Sequence, residues 1–235
     1  MPKLPPLCVA LSLIACLGCQ SSRPDGDPAL LLPPLEAPGP WQEDLLAAAR
    51  SYRGWTRVSD ANWAPWLCIA PPPSGALLSE SSDRRTHGRK LYYLYTEDSQ
   101  FYSWVLPRGS QPAMGQNPTE SAPVGFTIVK EAWSPLEVEL ADVPRLDSST
   151  HGRRTYPPEY LVDGEKAYRI GEPRGLFVML KKDPATPDTD EGWVYGTVSA
   201  DGKTVTSSGR VESCMGCHRE ASRDRLFGMH VNKSL

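Results

Sequence analysis

The amino-acid sequence predicts a mainly β (α+β) fold, an antiparallel β-sheet with a few helices, the last of them short and C-terminal. Three observations carry that prediction. Between residues 90 and 198 several segments are rich in aromatic and β-branched residues and alternate with the two-residue period of a strand. Asp201-Gly202 separates one of them from Lys203-Thr204-Val205-Thr206, which is a hairpin signal. The intervening stretches are polar and proline-rich, as connections between strands are. No internal repeat is evident. The net charge of −3 and the absence of a long charge run give no reason to expect a nucleic-acid partner.

The N-terminus comes first. Lys3 precedes an apolar run from Leu7 to Ala15 that ends in small residues. Such a run is too short to span a bilayer and has the form of an export signal. Leu13-Ile14-Ala15-Cys16 resembles the lipobox of bacterial lipoproteins, which makes Cys16 the expected lipidated residue. Leu17-Gly18-Cys19 offers a second register, and an ordinary cleaved signal is the alternative. Residues 1–19 are therefore read as a lipoprotein signal peptide. The mature chain is expected in the periplasm, lipid-anchored at the outer membrane, because Leu17 and not an aspartate follows Cys16. Residues 20–40 contain Pro24, Pro28, Pro33, Pro34, Pro38 and Pro40 and read as an extended tether. Residues 41–235 are long enough for one well-packed domain.

Trp41 to Tyr52 predicts a helix. Pro40 suits its start, Glu43 and Asp44 favour its N-terminal end, Leu45, Leu46 and Ala49 share a face, and Gly54 follows. Lys90 to Thr96 predicts a strand with Leu91, Tyr93 and Tyr95 on one side. Val124 to Trp133, Gly175 to Lys182 and Trp193 to Val198 predict three more. Residues 105–123 and 134–174 are expected to be surface loops or short irregular helices. The interleaved charges of Arg219 to Arg225 suggest a solvated face.

Near the C-terminus stands Cys214-Met215-Gly216-Cys217-His218. This spacing is the attachment signature of c-type haem: each thiol adds across one vinyl group, and the adjacent histidine offers its imidazole to iron. A structural zinc site would need a second ligand pair, but the other cysteines are N-terminal or, like Cys68, single. A simple disulfide is the remaining alternative. On the haem reading, Cys214 and Cys217 bind one covalent haem c and His218 is the proximal ligand. Seven tryptophans and nine tyrosines supply a domain that must wrap a large flat ring.

The order of motifs resembles the cytochrome P-460 family, which includes the cytochrome c-prime-beta proteins. The likeness runs from Tyr52-Arg53-Gly54-Trp55 through Thr86-His87-Gly88 and Gly125-Phe126-Thr127-Ile128-Val129-Lys130-Glu131. It continues through Val178-Met179-Leu180-Lys181-Lys182 and Gly192-Trp193 to the haem motif, Asp224 and Phe227. The resemblance implies a largely antiparallel β fold and often a homodimer. It also implies that Lys130 can join covalently to a meso carbon of the haem. On a strand Phe126, Ile128, Lys130 and Ala132 share one face, and a buried amine loses proton affinity and gains nucleophilicity. The alternative is a lysine that reaches water or pairs with a haem propionate.

Family members that oxidise hydroxylamine carry a distal carboxylate, which accepts a proton. An ungapped reading puts Val178 at that position, with Phe177 and Phe126 closing an apolar pocket suited to nitric oxide. Glu172 and Glu131 are the alternative carboxylates, although Glu131 faces away from Lys130 on a regular strand. His87 and His151 are loop histidines. Met179, Met229 and His230 are candidate sixth ligands, with Met179 better explained as core. Asp224 and Phe227 are expected to cap and anchor the helix bearing His218. The functions left open are oxidation of a small nitrogen species with a periplasmic electron acceptor, nitric-oxide binding without turnover, and six-coordinate electron transfer.

Overall fold

The computed structural model describes residues 39–60, 76–79, 90–103, 105, 121–146, 156–221 and 223–228. The expected signal peptide and all but the last residues of the tether lie outside them, as do Cys16, Cys19, Cys68, His87, His151, Met229 and His230.

Helix α1 (Gln42–Ser51) carries Glu43 and Asp44 in its first turn and Arg50 in its last, the arrangement its macrodipole favours. Leu45, Ala48 and Ala49 form its buried stripe. A 3₁₀ turn, Tyr52–Gly54, then leads into the sheet. The strands are β1 (Thr56–Arg57), β2 (Leu77–Leu78), β3 (Leu91–Thr96), β4 (Thr127–Val138), β5 (Tyr160–Asp163), β6 (Lys166–Lys181), β7 (Trp193–Val198) and β8 (Val205–Gly209). Helix α2 (Ser99–Ser103) follows β3, and α3 (Glu212–His218) follows β8. The strand order is β1-β3-β4-β6-β7-β8, with β2 added to β3 and β5 to β6. Every pairing is antiparallel. The fold class is the one the sequence predicts.

The strands are longer than predicted in one region. Residues 134–174, expected as loop, contain the end of β4, all of β5 and the first half of β6. The β4–β6 ladder shifts register between Ala132, Trp133 and Pro135, and Trp133 faces Pro173 there. Proline lacks the N–H that a regular ladder uses and is tolerated at such a bulge. Pro135 and Pro173 therefore interrupt the sequence pattern without ending the strands. The β5–β6 hairpin turns at Gly164-Glu165, where Gly164 has φ 60. A glycine there is a turn signal the sequence does contain.

Partners across an antiparallel ladder share a face. One face carries Leu94, Lys130, Phe177 and Thr197 in one row and Ile128, Met179 and Tyr195 in the next. The other carries Val129, Val178 and Gly196, then Tyr93, Glu131, Leu176 and Val198. Helix α1 covers this second face, with Leu45 and Ala48 packed on Val129, Leu176, Val178 and Val198. A Cβ at Gly196 would overlap the Leu45 side chain, so this glycine lets the helix lie close. On the first face Phe126, Ile128, Met179, Trp193 and Tyr195 pack against Met215 of α3 and Leu226 beyond it. Trp193, Tyr195 and Met215 are almost wholly buried, each worth on the order of 2 kcal/mol of apolar transfer.

Candidate functional site

Helix α3 is too short to persist by propensity alone, so packing fixes it. Met215 is its buried anchor, 1% exposed. Cys214 and Cys217, three residues apart, lie on one side of the helix. Both are free thiols. Cys214 packs against the core of the first face, and burial pushes its thiol up to about 11 against an opposing hydrogen bond from Ser213. Cys217 is exposed.

His218 closes the helix. Its Nδ1 lies 2.6 Å from the Arg225 carbonyl oxygen. A carbonyl only accepts, so Nδ1 carries the proton and Nε2 is the lone-pair nitrogen. Burial pushes the imidazole down to about 4; the Arg225 carbonyl opposes this, and the charge of Lys130 adds to it. The ring is flanked by Tyr195 at 5.5 Å and Phe227 at 5.1 Å between centroids. A neutral imidazole whose other nitrogen donates to a carbonyl is the form that ligates iron. Two free thiols at the attachment spacing complete a donor set that fits haem c. Among the described residues no three His, Cys, Asp or Glu side chains converge to hold a metal ion.

The segment after α3 departs from expectation. Arg219 is exposed, but Arg223 is 7% exposed, and the side chains of Asp224 and Arg225 are 10% and 17% exposed. This is not a uniformly solvated face. Asp224 is not a cap for α3 either. Its carboxylate accepts from Lys181 Nζ at 3.0 Å, Trp193 Nε1 at 3.0 Å and the Ala122 amide at 2.7 Å. Phe227 does anchor the helix, through the His218 ring. Arg225 grips Asp190 through Nε and a terminal nitrogen at 3.0 and 3.2 Å, and Tyr195 donates its hydroxyl to the same carboxylate at 3.1 Å. Burial would raise the Asp190 carboxyl, but the Arg225 and Tyr195 hydrogen bonds outweigh it and hold it below the usual range.

Lys130 stands where strand alternation puts it, on the face that α3 covers. Its ammonium lies 3.9 Å from the centre of the Tyr92 ring, a cation–π contact. Burial, and then the charge of Lys90, lower it to about 7. Lys90 is itself 3% exposed, with its Nζ 5.6 Å from the Phe177 ring centre. The fold thus puts Lys130 on the side of the sheet against which the helix bearing His218, 88 positions later, packs.

Val178 is not beside them. It pairs with Val129 and Gly196, is 2% exposed, and packs under α1 on the opposite face. Its neighbour Phe177, partner of Lys130, takes the position facing the motif side. Adjacent residues of a strand point to opposite faces, so Val178 does not line the side that carries Lys130. Glu131 does face away from Lys130: it accepts from Tyr52 at 2.7 Å, Arg53 at 3.2 Å and Tyr95 at 3.2 Å. Glu172 is exposed, its amide donating to Ser134 at 2.9 Å. Phe126 is a core residue against Phe101 and Trp193, and Met179 is core as expected. Sequence reasoning missed Tyr92, Asp190, Tyr195 and the carbonyl of Arg225. Alternation from Trp193 could have placed Tyr195; the Asp190–Arg225 pair spans 35 residues and has no local signal.

A family model described as cytochrome P460 matches residues 109–228, more than half of the chain. No curated protein matches it. The chain belongs to the cytochrome P460 family and is thereby a c-type haem protein.

Proposed function

We propose that this cytochrome P460 chain carries a single haem c joined to Cys214 and Cys217, with His218 as proximal ligand, and that it binds or oxidises a small nitrogen species. The observation that carries the reading is that Lys130 lies on the face of the sheet against which α3, bearing the two free thiols and His218, packs. When bound, the haem supplies a redox-active iron with a position open to a ligand. The protein's contribution is positional and electrostatic. The Arg225 carbonyl holds the His218 proton on Nδ1, and Tyr195 and Phe227 fix the ring between them. Lys130, lowered to about 7, is partly neutral at physiological pH. In that form its amine is a nucleophile and a base able to take a proton from a bound ligand; a bond to a meso carbon would replace that carbon's hydrogen and would need a two-electron oxidant of the peroxide class.

A second reading, nitric-oxide binding without turnover, is favoured by Phe177. The residues paired in the row of Lys130 are Leu94, Phe177 and Thr197, with no carboxylate to serve as a distal base. Export through residues 1–19 and lipidation at Cys16 complete the proposal, placing the domain in the periplasm beside an electron acceptor, as a homodimer. No helix among the described residues is long and apolar enough to cross a membrane.

Absorption spectra test the reading. The ferrous holoprotein is expected to be high-spin and to bind carbon monoxide and nitric oxide promptly. Denatured wild type is expected to keep an altered chromophore that Lys130→Ala removes. Turnover of hydroxylamine with an electron acceptor separates enzyme from binding protein. A low-spin ferrous spectrum indifferent to added ligand overturns the open-site reading and leaves electron transfer.

A further inference from the structure

Two turns near α3 carry an unusual concentration of left-handed backbone. In the β6–β7 connection Asp188 and Glu191 have φ 57 and 52, ahead of Gly192 at φ 89. In the segment after α3, Asp224 and Arg225 have φ 38 and 66. Side chains with a Cβ rarely adopt this region, and such residues persist only where their surroundings over-determine them. Here the two turns over-determine each other. Arg225 makes its two-point contact with Asp190 and a further one, at 3.1 Å, with Glu191. Asp224 binds Lys181 and Trp193, at the two edges of the first turn. Lys181 Nζ also donates to the Glu191 carbonyl at 2.9 Å. The Leu226 backbone N–H donates a hydrogen bond to the Arg223 carbonyl at 2.7 Å and closes the second turn.

What this interlock presents is one atom, the Arg225 carbonyl oxygen, aimed at His218 Nδ1. Taking His218 as the iron ligand, we infer that the Asp190–Arg225 clamp, supported by Asp224, sets the strength of the His218–carbonyl hydrogen bond and so tunes the iron through its proximal ligand. Asp190 and Asp224 are positioning residues. They touch neither the imidazole nitrogens nor the thiols, and act by holding a strained turn in place. Tyr195 joins the same device from the other side, with its hydroxyl on Asp190 and its ring against the imidazole. A tighter Nδ1–H···O bond makes the imidazole a more basic ligand, which strengthens the iron–histidine bond and favours the ferric state. Releasing the clamp does the reverse.

The test uses full-chain holoprotein with Asp190→Asn and Arg225→Lys. Each keeps the size of the side chain but loses the charged two-point grip. Asp44→Asn is the control, because it breaks a partly exposed ion pair, Lys182–Asp44 at 2.8 Å, at the start of the first turn and leaves the Asp190–Arg225 contact in place. The expected result is a downshift of the iron–histidine stretching band in the resonance Raman spectrum of the ferrous protein. A rise in reduction potential should accompany it, larger in Asp190→Asn than in Arg225→Lys and absent in Asp44→Asn. Should Asp190→Asn fail to load haem, Arg225→Lys decides by the same two readouts. A wild-type band that stays put in the clamp variants, or moves equally in the control, overturns the clamp while leaving His218 as ligand. A wild type with no iron–histidine band overturns the ligand assignment itself.

Discussion

Lys130 and Glu131 are neighbours on β4, and the two faces of the sheet treat them oppositely. On the α1 face Glu131 is 7% exposed and its two oxygens accept from Tyr52, Tyr95 and Arg53. Burial, then the Glu131 hydrogen bond, raise the Tyr52 hydroxyl well above its usual range; burial, then the charge of Glu131, push Tyr95 up to about 12. Those phenols stay protonated as donors. On the α3 face Lys130 meets an aromatic ring and a second lysine, and its proton affinity falls. One face spends its ionisable group on holding a helix; the other keeps one poised to change state. The difference teaches how a sheet can carry a reactive site: a closed polar network behind the strand fixes the direction in which the next residue points.

The sharpest way to break this contrast is to move a carboxylate across the faces. Val178→Glu puts one under α1, 2% exposed and without an obvious donor, and is expected to cost on the order of 3–5 kcal/mol in a urea titration. Phe177→Glu puts it beside Lys130 on the motif side, where it should cost far less and raise hydroxylamine turnover. Equal losses would mean that the faces are misassigned. Next in size is Glu131→Leu, which strips the acceptor from the buried Tyr52 hydroxyl and the half-buried Tyr95 hydroxyl and is expected to cost about 2–3 kcal/mol. The haem spectrum should hardly change, since the lost network lies behind the sheet.

The smallest effect concerns pH. Lys130 is lowered from its ordinary 10.5 to about 7. Between those values the unfolded chain binds a proton that the folded chain does not, so stability rises as pH increases through that window and is level below it. Protein expressed without haem attachment should show this rise, and Lys130→Met should remove it. The amplitude should fall below that of Glu131→Leu, because part of the side chain remains exposed. A profile unaltered by Lys130→Met would return Lys130 to the ordinary surface lysines.

Local pattern carried much of this molecule. The span of β7 follows from its residues alone, and the opposite orientation of Lys130 and Glu131 follows from a period of two. Pro135 and Pro173 hid the outer half of the β4–β6 ladder, because a bulge looks like a break when only one strand is read. Asp224 looked like a cap for α3 because it lies near its end, yet its partners come from Lys181, Trp193 and Ala122.

The motif Cys214-Met215-Gly216-Cys217-His218 pointed to a haem without any fold, because the spacing of two thiols and an adjacent imidazole is a local fact of the sequence. Alternation likewise settled that Lys130 shares the side of Phe126 and Ile128. Only the tertiary structure decided that Phe177, and not Val178, stands opposite it, since that depends on the register of β6 against a strand some 45 residues earlier. Only the tertiary structure, too, turned the Arg225 carbonyl toward His218. That geometry is held by a distant aspartate across two left-handed turns, and no property of the residues around 218 encodes it.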